Sequence, residues 1–175
     1  MSTRQHLIAI LALPFTVTII IPILLLLLSE WSGHPWLFLY PLNPLTLILG
    51  TMSSAIGLVT LYKTNQAFAR TGKGTLAPWA PTQRLVAVGL YCYVRNPMII
   101  SVLLILLGEA ILFGATLLFL WFFIFWIMNH VWFIWWEEPD LERRFGDKYR
   151  EYKANVPRWF PRPTPWRPQS TDSNI

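Results

Sequence analysis

The sequence predicts an all-α integral membrane protein with about four transmembrane helices and a C-terminal amphipathic helix at the membrane interface. Three observations predict it. Of 175 residues, 54% are hydrophobic and 13% charged, which is roughly half the usual charged share. The apolar residues fall in long uninterrupted runs, the pattern of a chain built for hydrocarbon. Basic residues are confined: of 14 Lys and Arg, all but Arg4 lie in 63–95 or after residue 142.

The first run, 7–28, holds no charge over about 22 residues, enough to cross roughly 30 Å of hydrocarbon. Pro14 and Pro22 should kink this helix, which is tolerable where neighbouring helices cover the freed carbonyls. A signal peptide would have a shorter apolar core and small residues at a cleavage site, and Ser29-Glu30-Trp31 offers none. After a loop with Trp31, Trp36 and Tyr40, suited to an aromatic belt, a second span runs from about Pro44 to Tyr62. Gly50, Ser53, Ser54 and Gly57 let it approach a neighbour closely. Residues 1–62 are therefore expected to be two transmembrane helices.

The next unit, 63–97, carries Lys63, Arg70, Lys73, Arg84 and Arg95 without an acidic residue. A connection of that length is functional or disordered. Its Gly72-Lys73-Gly74 has neither P-loop nor dinucleotide-fold spacing and reads as flexible loop. Residues 98–136 are again apolar, apart from Glu109, Asn129 and His130. They suit a transmembrane hairpin with its tip between Gly108 and Gly114. In 137–162, Pro139 should break the helix. Leu141, Phe145, Tyr149, Tyr152 and Val156 then recur at helical spacing, with Arg143, Arg144, Arg150 and Lys153 on other faces. That pattern predicts an amphipathic helix on the membrane, ended by Pro157. The proline-rich 163–175 is expected to be a flexible tail.

By the positive-inside rule, the basic loop and tail are cytoplasmic, so four spans leave both termini inside. A net charge of +5 then serves topology and anionic lipid, and no nucleic-acid motif accompanies it. The lone Cys92 excludes an internal disulfide and a cysteine cage. His6, His34 and His130 form no metal signature with the carboxylates, so no metal is expected.

Two polar clusters return to this one face: Gly89 to Pro97, and Glu137-Glu138. The glutamates sit at the negative end of the fourth span, an unfavourable place without a cationic partner, although they also precede a following helix that favours anions. Arg95 is explained equally by topology and lipid phosphate, or as that partner. His130 stands seven residues before Glu137, about 10 Å deeper on nearly the same face. A buried ionisable group there is a functional candidate, though a satisfied histidine reads almost as well.

Gly89-x-Tyr91-x-x-x-Arg95-Asn96-Pro97, a two-span hairpin, Glu137-Glu138-x-x-Leu141-x-x-x-Phe145-Gly146-x-x-Tyr149-x-x-Tyr152 and Val156-Pro157-Arg158 resemble one group in this order. It is the isoprenylcysteine carboxyl methyltransferase and phospholipid N-methyltransferase superfamily, in its short bacterial form. The match covers Gly72 to about Arg162. The resemblance implies an S-adenosylmethionine-dependent methyltransferase of the bacterial inner membrane, with its active site cytoplasmic. Its cofactor pocket would comprise Gly89, Tyr91, Arg95, Asn96, Pro97, Glu137 and Glu138, with His130 on the inner wall. Tyr149, Tyr152 and Arg158 would close it. Arg95 and Glu137 are the catalytic candidates. Two positions depart from the pattern: Asn96 stands where many members have His, and Ile99 where a Tyr often follows the Pro.

The implied acceptor is lipophilic: a prenylcysteine carboxylate, a phospholipid amine or another lipid. Two rivals use the same features differently. One is an NADPH-dependent membrane reductase of related architecture. The other is a non-catalytic scaffold whose Trp121, Phe122, Phe123, Phe125 and Trp126 pack on a partner.

Overall fold

A computed structural model describes residues 14–30, 44–71 and 85–167. The start of the first expected span, the aromatic loop with Trp31, Trp36 and Tyr40, the Gly72–Pro81 stretch and the last eight residues lie outside the described residues. Within them the chain is helical, with no β-strand. Helix α1 covers 14–30, α2 is Pro44–Thr71, α3 is Pro97–Phe113, α4 is Thr116–Trp132, α5 is Glu138–Phe145 and α6 is Asp147–Asn155.

Two helical stretches are long and apolar enough to cross a membrane: Pro44–Ala67, and α4 with its continuation, Thr116–Phe145. The apolar helices Thr16–Leu28 and Pro97–Phe113 are shorter. α2 runs past the Tyr62 expected from sequence, so the basic segment begins as helix. Its outer face shows Leu45, Ile48, Met52, Ile56 and Val59, each about half exposed. An apolar stripe of that length, facing no protein, suits lipid.

α2 and α3 pack most intimately. A Cβ on Gly108 would lie 2.6 Å from the Gly50 carbonyl oxygen, and one on Gly57 would lie 2.8 Å from that of Ser101. Only glycine permits this approach. Ser53 Oγ donates across the contact to the Leu104 carbonyl at 2.8 Å. At Gly114 (φ +57°) α3 ends in a left-handed residue and the chain turns into α4. Ala110, Ala115 and Leu118 are buried at this tip against Leu25, Leu26 and Phe119.

Two of the three prolines expected to disrupt helices, Pro22 and Pro139, are absorbed by π-helical turns. Thr16–Ile20 precedes Pro22, with Ile21 N–H bonded to the Thr16 carbonyl. Phe133–Glu137 precedes Pro139, with Glu138 N–H bonded to the Phe133 carbonyl. Each wider turn accommodates the ring and the missing N–H without ending the helix. Pro139 therefore does not break the chain: α4 passes through the π turn into α5. Near Pro22, Val17's oxygen finds neither its α-helical donor, already bonded to Thr16, nor a π-helical one, which would be proline. The Trp121 indole N–H supplies the bond at 3.3 Å.

The expected single interfacial helix is two. Gly146 (φ +55°, ψ −130°) separates α5 from α6. The apolar residues of α6 do not face lipid, because Tyr149, Tyr152 and Val156 are buried with Trp166 against Leu85, Ala87, Leu141 and Phe145. Nor is the strap at 156–167 free as far as Arg167. Arg95 N–H bonds to the Pro157 carbonyl (2.9 Å), Arg162 N–H to that of Tyr93 (3.0 Å), and Trp166 N–H to that of Cys92 (2.9 Å). The proline-rich composition sets an extended backbone, and these bonds with buried Trp166 fix it.

Candidate functional site

Three segments distant in sequence meet at one end of the bundle: the 85–96 loop, the end of the long helix and the strap. Gly89 (φ +59°) opens a tight turn, Gly89–Cys92, a conformation glycine adopts without penalty. The turn buries Tyr91, whose carbonyl accepts from the Tyr152 hydroxyl at 2.8 Å. Pro97 then starts α3 at a position where no amide hydrogen is needed. Arg95 and Asn96 are thereby held at the mouth of that helix.

Glu138 is the centre, with its side chain 6% exposed. Arg95 Nη1 donates to its Oε1 at 2.9 Å and Arg158 Nε to the same oxygen at 2.6 Å. Lys153 Nζ stands 3.3 Å from Oε2 and 3.7 Å from Glu142 Oε2. Burial alone would raise the carboxyl's pKa, but the Arg158 hydrogen bond, with Arg95 and Lys153, holds it below the ordinary value. Three cations around one carboxylate offset the cost of burying its charge. Arg95 Nε and Asn96 Nδ2 remain buried with no hydrogen-bond partner among the described residues.

Glu137 is different. It joins none of the ion pairs among the described residues. The apolar part of the long helix, 116–136, matches the roughly 30 Å of a hydrocarbon core at about 1.5 Å per residue, so Glu137 stands just beyond it. Burial first, then Glu138 and Asp140, push its carboxyl up to about 7, with Arg144 opposing. Three tyrosines at this end of the bundle are pushed up. Burial and then the Glu138 charge push Tyr149 up to about 12, partly offset by Arg95. Burial likewise raises Tyr91 and Tyr152. None of these three supplies a phenolate base near neutral pH.

His130 lies deeper on α4. Its Nδ1 accepts from Trp159 Nε1 at 2.9 Å, inside an aromatic group with Trp126 and Phe133. Trp132 and Trp136 stack on each other, centroids 5.3 Å apart.

The structure thus joins Arg95, Glu138 and Arg158 directly, sets Tyr149 beside them, and links Tyr91 to Tyr152. Gly89, Asn96 and Pro97 shape the loop. Glu137 borders the cluster, and His130 touches the strap rather than the ion pairs. Sequence reasoning missed Lys153, placed on an outward face, and Trp159. Lys153 reaches Glu138 from α6, which Gly146 sets off from α5. Trp159 was signalled only by its place after Arg158.

A helical, membrane-type chain with a charged site at one bundle end defines a class; the comparisons give the family. The phospholipid methyltransferase family model matches residues 45–148, more than half the chain, and the protein belongs to that family. The match takes in the 89–97 loop and both glutamates and ends before the strap. An uncharacterised protein of Haemophilus influenzae is 44% identical over 63 residues, which are 36% of this chain and all of that protein. No solved structure matches.

Proposed function

We propose that this protein is a membrane-embedded methyltransferase that uses S-adenosylmethionine and acts on a lipophilic acceptor. In this reading the chain crosses the membrane four times, with both termini and the site in the cytoplasm of the bacterial inner membrane. The units are those expected from sequence: 1–62, 63–97, 98–136, a closing segment at 137–162, and the tail.

One observation carries the reading. Beside the Glu138 ion cluster lie two buried donors without acceptors, Arg95 Nε and Asn96 Nδ2, and a carboxylate outside the ion pairs, Glu137. Buried donors left unpaired cost free energy, and an anionic oxygen ligand would satisfy them. A positively charged group beside Glu137 would favour its ionised form. A methionine-type end, with carboxylate and ammonium, and a sulfonium fit that donor set. When bound, S-adenosylmethionine supplies a methyl carbon open to nucleophilic attack. Arg95 and Asn96 would hold its carboxylate, and Glu137 its amino group or ribose hydroxyls. Arg158 and Lys153 keep Glu138 ionised, so that Arg95 is fixed in orientation. Tyr149, Tyr152 and the strap exclude water from the same end, with His130 on the inner wall. Asn96 donates where many members of the superfamily have His, which keeps a hydrogen-bonding group at that position.

Calorimetric titration of purified protein with S-adenosylmethionine, S-adenosylhomocysteine and NADPH tests this. Binding of both adenosyl ligands, lost in Arg95→Ala and weakened in Glu137→Gln, is expected. NADPH binding alone would assign the protein to the reductases, and binding of none by folded protein would favour a scaffold.

A further inference from the structure

The contact between Trp159 and His130 has a chemical direction. An indole nitrogen donates and never accepts. The 2.9 Å bond from Trp159 Nε1 therefore requires His130 Nδ1 to be the bare nitrogen. The neutral ring must then carry its proton on Nε2, on the side turned away from Trp159.

Trp159 is held firmly enough to impose this. Its neighbour Arg158 is bonded to Glu138 at 2.6 Å. The strap backbone is bonded to the 89–96 loop on both sides, at Pro157 and Arg162. Its ring packs against Trp126, His130 and Phe133 with centroids 6.0 to 6.3 Å apart. His130 lies seven residues before Glu137, and so on the membrane side of the carboxylates, where a lipid-borne acceptor would approach.

We propose that Trp159 is a positioning residue that locks His130 as its Nε2–H tautomer, making His130 a hydrogen-bond donor to an anionic oxygen of the methyl acceptor. This rests on the methyltransferase reading. A ring locked in this way cannot take a proton at Nε2, so His130 orients the acceptor and is not its base. The oxygen belongs to a prenylated cysteine carboxylate or to the phosphodiester of an aminophospholipid.

The test is nitrogen-15 NMR of histidine-labelled protein in nanodiscs, with the His130 signals identified by their loss in His130→Gln. Wild type should show an unprotonated Nδ1 and a protonated Nε2. Trp159→Phe, which keeps the ring and removes the donor, should shift the populations toward a tautomer mixture. Its kcat should fall about tenfold, the size of effect one lost hydrogen bond supports, with S-adenosylhomocysteine affinity within about twofold of wild type. The Nε2–H signal should move when either N-acetyl farnesylcysteine or phosphatidylethanolamine is added, and the ligand that moves it names the source of the oxygen.

A protonated Nδ1 in wild type would overturn the lock. So would a tautomer unchanged in Trp159→Phe. If neither acceptor moves the Nε2–H signal, the donor role is overturned. If Trp159→Phe instead weakens S-adenosylhomocysteine binding and leaves kcat intact, the residue only pins the strap. Failure of the methyltransferase reading itself would show separately, as no S-adenosylhomocysteine binding with the wild-type tautomer unchanged.

Discussion

The α2–α3 contact and the Glu138 cluster hold the molecule by opposite means. The first rests on small residues: Gly50, Gly57 and Gly108 bring two backbones together, Ser53 adds one hydrogen bond, and dispersion does the rest. The second gathers three cations, from the 85–96 loop, α6 and the strap, around one carboxylate. Its stability depends on every partner being present, because a buried charge without its counter-ion is strongly unfavourable. The apolar contact is local and tolerant everywhere except at the glycines. The polar cluster couples loop, helix and strap, so damage to one residue spreads to all three. A site at the end of a bundle thus becomes a closed unit only when the polar contacts are complete.

The comparison can be broken at either end. Glu138→Ala leaves Arg95 and Arg158 buried together without a carboxylate, and should lower unfolding stability in detergent by about 3 to 5 kcal/mol. It should also free the strap, read as faster proteolysis after Arg158. A stable variant with an intact strap would show that the cluster is ornamental to the fold. Gly108→Ala drives a methyl group into Ser54 Oγ and the Gly50 carbonyl and should cost about 2 to 3 kcal/mol. Cofactor affinity should change little in the fraction that remains folded. Smallest is Trp121→Phe, which strips the Val17 carbonyl of its donor and should lower stability by about 1 kcal/mol. Equal thermal midpoints for this variant and wild type would mean that the carbonyl finds another donor.

The two regions also differ in how far the sequence revealed them. Gly50, Ser53, Ser54 and Gly57 fall at small-residue spacing on one helix, so close packing followed from composition and periodicity. The 89–97 loop and Glu137-Glu138 were legible as ordered motifs and as charges returned to one face. The three-cation convergence on Glu138 was not. Lys153 and Arg158 lie beyond Gly146, whose backbone at φ +55° turns the chain, and Arg158 also follows the strap's bonds to the 92–95 loop. A helical projection across that residue misassigned Lys153 and read the apolar face of α6 as lipid-facing, when Trp166 covers it. Pro139 misled for a related reason: a π turn accommodates a proline without ending the helix, and nothing in Phe133–Glu137 announces one. Residues 163–167 read as tail because proline abundance signals extension, while the strap's fixation comes from backbone bonds of Pro157, Arg162 and Trp166 to Arg95, Tyr93 and Cys92.

Glu137 gives the most direct test of the central claim that this end of the bundle receives a cationic cofactor. Its carboxyl is raised to about 7, so from the ordinary carboxylate range up to about pH 7 the folded protein keeps a proton that the unfolded chain has released. Stability from this group therefore falls as pH rises through that window and is level above it. Binding runs the other way, since a cation beside Glu137 requires the ionised form. S-adenosylmethionine should bind roughly tenfold more tightly at pH 8 than about one unit below the Glu137 value, and Glu137→Gln should abolish the difference. Binding by wild type that is flat across this range, or a slope that survives in Glu137→Gln, would contradict the claim.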